Sequence, residues 1–212
     1  MDKLTVEAFR LMLRKALMRV KEREEEFSKL DALTGDGDHG TAIVTALSAA
    51  VMAAEKGADF KSILNNMGFA VMMETSGSTS TLLGAFFLGM SDAVNDTELD
   101  ASGVKALFSG GLANVRKQTK AEVGDKTMMD ALIPAVQAIE ACNSEDISDL
   151  LTAAAGAAQR GAENTVDMVA KFGRARNYGE RSKGFIDSGA ASWSAMFAAF
   201  ASLKENDEDN TG

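Results

Sequence analysis

Apolar residues recur along most of the chain at intervals of three and four positions, which places them on one face of an α-helix. In the first thirty residues, Phe9, Met12, Leu13, Ala16 and Val20 follow this spacing. We find no segment with the alternation of apolar and polar residues that predicts a half-buried strand. The pattern predicts eight helices, at about residues 5–30, 41–56, 60–75, 79–94, 102–120, 127–142, 147–171 and 190–203.

The predicted connections are mostly short, so consecutive helices are expected to run antiparallel in an all-α, up-and-down bundle. On such a path the first, third, fifth and seventh connections lie at the same end of the bundle. These four connections hold clusters of glycine with charged or hydroxyl residues, at 31–40, 76–78, 121–126 and 172–189. The sequence therefore predicts a functional site at that end.

The composition agrees with a helical domain. A single proline in 212 residues leaves the helices few breaks, and 46% hydrophobic residues supply a sizeable core. Pro134 lies inside the sixth predicted helix, where we expect a kink or a break. We expect residues 1–203 to form a single domain and the acidic residues 204–212 to form a disordered tail.

The charge and the apolar segments exclude several classes of protein. The net charge of −9 argues against nucleic-acid binding, which requires cations to displace the counterions of phosphates. Cys142 is the single cysteine, so no internal disulfide is possible. No apolar run reaches the roughly 18–20 residues that span a bilayer, and we find no secretory signal. We expect a soluble, cytoplasmic protein with no membrane partner.

The first glycine-rich connection contains three aspartates in a stretch of eight residues: Asp31, Asp36 and Asp38. Hard oxygen ligands in such a loop are typical of a Mg²⁺ or Ca²⁺ site. An EF-hand is excluded, because Leu47 stands where that loop requires a bidentate glutamate. The alternative is a solvated loop whose aspartates only cap the next helix. Three carboxylates with interleaved glycines favour the metal site.

A Mg²⁺ ion held by few carboxylates keeps coordination positions for phosphate oxygens. Gly40 and Thr41 begin the second predicted helix, and Ser78 and Thr79 begin the fourth. The free N–H groups and the positive dipole end of such helix starts suit an anion. His39 is either a hydrogen-bonded loop residue or a group that contacts phosphate or transfers a proton.

Four cations, Arg174, Arg176, Arg181 and Lys183, lie in the long seventh connection together with several glycines. A run of charges is often only a solvated surface. A long connection with glycines is also typical of segments that close over a ligand. The sequence leaves both interpretations open.

Short motifs in order along nearly the whole chain resemble those of one family, the nucleotide-binding L subunit of dihydroxyacetone kinases. They are GDGDHG at 35–40, GAFF at 84–87, GDKTM at 124–128, GRA at 173–175, GERS at 179–182 and DSG at 187–189. The resemblance implies an eight-helix α-barrel that carries a nucleotide and two Mg²⁺ ions at one end. The chain departs from the family pattern at two places. It has Ser76-Gly-Ser-Thr-Ser80 where Gly-Gly-Ala-Ser-Gly is usual, and Asp187-Ser-Gly189 where Asp-Pro-Gly is usual.

The resemblance assigns roles to individual residues. Asp31, Asp36 and Asp38 would hold the two Mg²⁺ ions that bridge the phosphates of ADP or ATP. His39 and Arg174 would be catalytic. The nucleotide would be contacted by His39, Gly40, Thr41, Ala42, Ser78, Thr79, Gly124, Arg174, Asp187, Ser188 and Gly189.

The family binds its ketone through a histidine on a separate K subunit, and this chain leaves no room for such a domain. We therefore expect the nucleotide-binding subunit of a dihydroxyacetone (glycerone) kinase, which transfers a phosphoryl group to a small ketose on the K subunit. The resemblance favours ADP rephosphorylated by a phosphotransferase-system M subunit, fed by phosphoenolpyruvate. The alternatives are an ATP-dependent subunit for another ketose such as erythrulose, a nucleotide-loaded module that binds a transcriptional regulator, and an acidic bundle with a Ca²⁺ loop.

Overall fold

The computed structural model describes residues 1–74 and 77–203, and within them it is almost entirely helical, so the all-α prediction is confirmed. The expected tail at 204–212 and the departure at Ser76 lie outside the described residues. Two short 3₁₀ segments occur at Thr165–Asp167 and Ala175–Ser182. The other elements, in chain order, are β1 (Leu4–Thr5), α1 (Val6–Glu22), α2 (Glu24–Ala32), α3 (His39–Ala54), α4 (Phe60–Glu74), α5 (Ser78–Ala93), β2 (Glu98–Leu99), α6 (Ala101–Gln118), α7 (Met129–Ala141), α8 (Ile147–Asn164) and α9 (Ser188–Ala201).

The helices form a closed ring in which each packs against its neighbours in the chain. From α3 to α9 the contacts follow chain order, and α1 closes the ring by packing against both α9 and α3. The short strands β1 and β2 pair antiparallel, with Leu4 opposite Leu99. The inward faces of the helices share one apolar core, as the helical spacing of the sequence requires.

Aromatic rings fill much of this core. Phe86 and Trp193 meet edge to face with centroids 5.1 Å apart, and Phe108 lies 5.8 Å from Phe197. Such pairs contribute about 0.5–1.5 kcal/mol beyond the apolar area they bury. The core position of Trp193 joins α9 to α5, two of the helices whose first residues lie at the candidate site.

The prediction of a single helix at residues 5–30 is wrong in one respect, because the structure has two helices there, α1 and α2, separated at Arg23. The backbone of Arg23 has φ −112° and ψ 12°, outside the helical region. Glu24, Glu25 and Glu26 follow directly, and carboxylates in a first turn stabilise a new helix start. The break leaves Phe27 fully buried beneath the guanidinium of Arg23, whose carbon lies 5.0 Å from the ring centroid.

Two other helices differ from the prediction. The helix expected at 147–171 ends at Asn164, where Thr165 turns the chain into a 3₁₀ segment, and Met168 is extended. α7 continues through Pro134, so of the kink or break expected there the break is absent. None of the described helices is long and apolar enough to cross a membrane.

Candidate functional site

The four glycine-rich connections meet at one end of the helical ring, as helix parity predicts. Arg174 of the seventh connection reaches Asp36 of the first, and His39 lies beside Thr79 at the start of α5. Lys171 of the seventh connection binds Asp125 of the fifth at 2.7 Å. These contacts bring residues that are distant in the sequence into one site.

The acidic cluster consists of Asp31, at the end of α2, and of Asp36 and Asp38, in the loop before α3. One carboxylate oxygen from each residue lies within 4.8 Å of the others. Gly37, with φ +78°, bends the loop back so that its N–H donates to Asp31 at 2.8 Å. Burial and the charges of Asp36 and Asp31 raise the pKa of Asp38. Three close carboxylates that repel one another form a donor set that fits a divalent hard cation.

Arg174 lies at this cluster, where the sequence places it. Its guanidinium forms an ion pair with the carboxylate of Asp36, and its hydrogen bond lowers the pKa of that carboxyl group. Both side chains are largely exposed, so the pair contributes little to stability. The ion pair matters for the geometry of the site, because it places the guanidinium of Arg174 beside the carboxylates.

His39, the first residue of α3, connects three helix starts. Its Nε2 lies 2.9 Å from the hydroxyl of Ser192 on α9, and its Nδ1 lies 3.3 Å from the hydroxyl of Thr79 on α5. Ser192 donates its own proton to the carbonyl of Gly189, so it accepts from Nε2–H, and Nδ1 accepts from Thr79. Burial lowers the pKa of His39, although Asp31 and the backbone of Ser188 oppose the shift. The imidazole is therefore neutral near pH 7.

The start of α3 packs tightly against α2. A Cβ at Gly40 would overlap the carbonyl oxygen of Glu24, so only glycine fits there. The hydroxyl of Thr41 donates to the carboxylate of Glu24 at 3.0 Å, and the N–H of Ala42 donates to the carbonyl of Asp38 at 2.9 Å. Only the backbone N–H groups of His39, Gly40 and Thr41, which precede this bond, have no acceptor within α3 and could donate to an anion.

The start of α5 follows Gly77, whose φ of +125° disfavours other residues. Gly77 also accepts hydrogen bonds at 2.8 Å from the hydroxyl of Thr81 and at 3.1 Å from its N–H. Ser78 is exposed, whereas Thr79 is partly buried against His39. The two predicted donors thus lie at the same end as the acidic cluster.

The start of α9 lies next to the cluster. Asp187 caps this helix by accepting the N–H of Ala190 at 2.8 Å, and burial raises its pKa to about 6. The hydroxyl of Ser188 lies 3.5 Å from Asp31. Gly189 approaches Met128 so closely that a Cβ would stand 3.3 Å from the Cβ of Met128.

Sequence reasoning missed two buried charged residues, Lys126 in the fifth connection and Asp130 in the first turn of α7. Asp130 is completely buried and accepts the N–H groups of Gly124 at 2.6 Å and Thr127 at 2.8 Å, and burial raises its pKa. Lys126 is also buried, and its ammonium lies between carbonyl oxygens of other segments. Both residues lie in the stretch that begins with the GDKTM motif, so the motif was the available signal.

The arrangement defines a class of site in which carboxylates and helix N-termini together can bind a metal-chelated anion. The chain matches the DAK2 domain family model over residues 33–202. The chain therefore belongs to the DAK2 domain family.

Curated relatives share most of this chain. It is 35% identical over 183 residues to the ADP-binding subunit DhaL of PEP-dependent dihydroxyacetone kinase 1 from Listeria innocua, covering 85% of this chain and 88% of that one. The corresponding Escherichia coli subunit is 33% identical, with coverage of 84% and 87%. D-erythrulose kinase from Mycolicibacterium smegmatis is 37% identical over 80% of this chain, which spans only 30% of that enzyme.

Solved structures share the fold. The dihydroxyacetone kinase of C. freundii in complex with AMP-PNP and Mg²⁺ matches 90% of this chain, with a TM-score of 0.68 and 26% identity. The native form of that kinase gives a TM-score of 0.69. The chain spans about one third of that longer protein.

Proposed function

We propose that this chain is the nucleotide-binding subunit of a dihydroxyacetone kinase, which transfers a phosphoryl group to a small ketose held on a separate K subunit. The observation that carries the proposal is the meeting of three carboxylates with the starts of α3, α5 and α9 at one end of the ring. Relatives named as ADP-binding subunits match the chain over most of both lengths, which supports the same conclusion.

The acidic cluster would bind the metal. Asp31, at the end of α2, and Asp36 and Asp38, in the loop that follows, offer enough carboxylate oxygens for two Mg²⁺ ions. The ions, when bound, neutralise the charge on the phosphate oxygens of the nucleotide. Burial and the charges of Asp36 and Asp31 raise the pKa of Asp38, and such a cation would relieve the repulsion between these carboxylates.

The helix starts would bind the nucleotide. Backbone N–H groups of His39, Gly40 and Thr41 in α3, and of Ser78 and Thr79 in α5, would face the phosphates, and Ala42 would border the nucleotide. The neutral imidazole of His39, hydrogen-bonded on both sides, holds these two starts and that of α9 at fixed distances.

The remaining contacts come from the fifth and seventh connections. Arg174 would act catalytically by spreading the charge of the transferred group, since its fork lies beside the carboxylates. Gly124 would border the nucleotide, and Asp187, Ser188 and Gly189 would close the site from the start of α9. We assign all these contacts to one domain, residues 1–203.

A binding experiment tests the site. Asp36→Ala should weaken Mg·ADP binding at least about tenfold, as expected for loss of a metal ligand, while the helical circular dichroism stays unchanged. Asp92 is an exposed aspartate in the last turn of α5, at the opposite end of the ring from the acidic cluster. Asp92→Ala is therefore the matched control and should bind Mg·ADP normally. Calorimetry measures the Mg·ADP affinity of both variants. Unchanged affinity in the Asp36 variant would contradict the metal assignment.

A transfer experiment tests the reaction. We would mix the chain with the K subunit of a relative and either dihydroxyacetone or erythrulose, since the erythrulose kinase is 37% identical. Donors would be ATP, or phosphoenolpyruvate with the phosphotransferase proteins including the M subunit. We expect dihydroxyacetone phosphate with the phosphoenolpyruvate system. No ketose phosphate with either donor would instead favour a nucleotide-loaded module that binds a regulator.

A further inference from the structure

Lys126 is unusual because its charged side chain is buried, with 3% of the residue exposed. Lysine is almost never fully buried unless its ammonium is paired. Its backbone also has φ +58°, a conformation that costs energy for any residue with a Cβ. Two unfavourable features at one position indicate that the surrounding structure, rather than local preference, determines the conformation of Lys126.

The ammonium of Lys126 joins three segments. Its Nζ donates to the carbonyl oxygens of Thr165 and Phe185, both at 2.5 Å, and lies 4.9 Å from the centre of the Phe185 ring. Thr165 ends α8, and Phe185 lies just before α9. Burial lowers the pKa of the Lys126 ammonium, and the charges of Asp187, Asp130 and Asp167 oppose this shift.

The segment before α9 rests on the same support. Gly184 donates its N–H to the carbonyl of Val166 at 2.8 Å, and Asp187 donates its N–H to the hydroxyl of Thr165 at 2.9 Å. The chain then continues into Ser188, which lies 3.5 Å from the carboxylate of Asp31. The position of the α9 start at the acidic cluster therefore depends on how residues 184–187 are held against the end of α8.

We propose that Lys126 is a positioning residue that holds residues 184–187 against Thr165 and so fixes the start of α9 at the nucleotide site. This inference rests on the proposed function. The ammonium of Lys126 donates two charge-assisted hydrogen bonds to backbone carbonyls in the protein interior, where such bonds are stronger than at the surface.

A second lysine provides a matched control. Lys171 also ties the seventh connection to the fifth, through an ion pair of 2.7 Å with Asp125, but its side chain is 61% exposed. An exposed pair of this kind contributes about 0–1 kcal/mol. Lys126→Met and Lys171→Met therefore remove the same charge from the same neighbourhood, once from a buried and once from an exposed place.

The first measurement needs no nucleotide. Arg181 and Lys183 are exposed trypsin sites next to the held segment, and Lys117 at the end of α6 is an exposed reference site for global opening. In Lys126→Met, cleavage after Lys183 should become about tenfold faster relative to cleavage after Lys117. Lys171→Met should show the wild-type ratio.

The second measurement is the Kd for Mg·ADP by calorimetry. We expect Lys126→Met to bind about tenfold more weakly, equivalent to about 1.4 kcal/mol, and Lys171→Met to bind normally. If Lys126→Met fails to fold, Thr165→Val serves instead, because it removes the hydroxyl that accepts the Asp187 N–H. That variant should show the same two changes.

The outcomes are separable. Wild-type cleavage ratios in Lys126→Met or its substitute would overturn the proposal, and so would faster cleavage with unchanged nucleotide affinity, since the segment would then not serve the site. Equal effects from Lys171→Met would overturn it too. If the wild-type chain binds no nucleotide, the proposed function and the link to the site both fail, and the cleavage ratio still reports whether Lys126 holds the segment.

Discussion

Gly161 of α8 lies directly against the backbone of Asp130 in α7, so its replacement by alanine is a strong test of the packing. A Cβ at this position would lie 2.9 Å from the carbonyl carbon of Asp130 and closer still to its oxygen. Carbon and oxygen normally stay about 3.3 Å or more apart. The two helices must therefore separate locally by more than about 1 Å in the Gly161→Ala variant.

The expected cost follows from two opposing terms. Overpacking a well-packed contact costs about 1–3 kcal/mol, and here the obstructing atom belongs to the backbone, so the upper part of that range applies. Alanine is about 1 kcal/mol better than glycine in a helix interior, which offsets part of the cost. We expect Gly161→Ala to lower the free energy of unfolding by about 2 kcal/mol.

Gly156, on the same helix, is the matched control. A Cβ there would meet only the end of the flexible Arg160 side chain, at 3.3 Å. Gly156→Ala should therefore gain the helix preference without the clash and raise the free energy of unfolding by about 0.5–1 kcal/mol. The same substitution thus has opposite signs at two positions five residues apart.

Urea unfolding followed by circular dichroism measures both variants. With a slope of about 2 kcal/mol per molar, the midpoint should fall by about 1 M for Gly161→Ala and rise slightly for Gly156→Ala. A Gly161 variant as stable as the wild type would refute the inferred close contact of α7 with α8. Destabilisation of both variants to the same extent would show that helix propensity is not the relevant term.

Two further predictions concern the start of α9. The carboxyl of Asp187 has a pKa of about 6 in the folded chain, against about 3.9 in the unfolded chain. The folded state therefore binds the Asp187 proton more tightly, and the stability of the fold falls as the pH rises from about 4 to 6. Asp187→Asn keeps a capping oxygen and should lessen that fall in urea titrations at each pH; an unchanged profile would contradict the raised pKa. Ser192→Ala leaves the Nε2–H of His39 without its hydroxyl acceptor, at a cost of about 1–3 kcal/mol, and should weaken Mg·ADP binding; normal stability and binding would show that this hydrogen bond is not needed.

The sequence predicts the helices well because their periodic apolar faces are what the core buries. Parity then places the four glycine-rich connections together, and the contacts of Arg174 with Asp36 and of His39 with Thr79 confirm that placement. The division at Arg23 escaped prediction because the apolar spacing continues across it, through Val20 and Phe27. Periodicity reports which side of a helix is buried and does not report whether the axis changes direction.

The buried charges could not be predicted from pattern alone. Lys126 lies in a polar, glycine-containing stretch and Asp130 in the first turn of α7, and charged residues at such positions are usually exposed. The burial of Lys126 depends on Thr165 and Phe185, which lie 39 and 59 residues further along the chain and cover it only after the ring has closed. Contacts of this range leave no signature in local spacing.

Pro134, the lone proline, has a physical account in the contact between α7 and α8. Because proline has no N–H, the carbonyl of Asp130, four residues earlier, lacks its usual donor within α7. That carbonyl is the group that Gly161 of α8 approaches, and the side chain of Asp130 holds Gly124 and Thr127 in the fifth connection. α7 thus continues through Pro134, and the carbonyl left without its donor lies at a tight contact between helices. Any change that moves Asp130 at this contact should therefore also move the loop that contains Gly124 and Thr127.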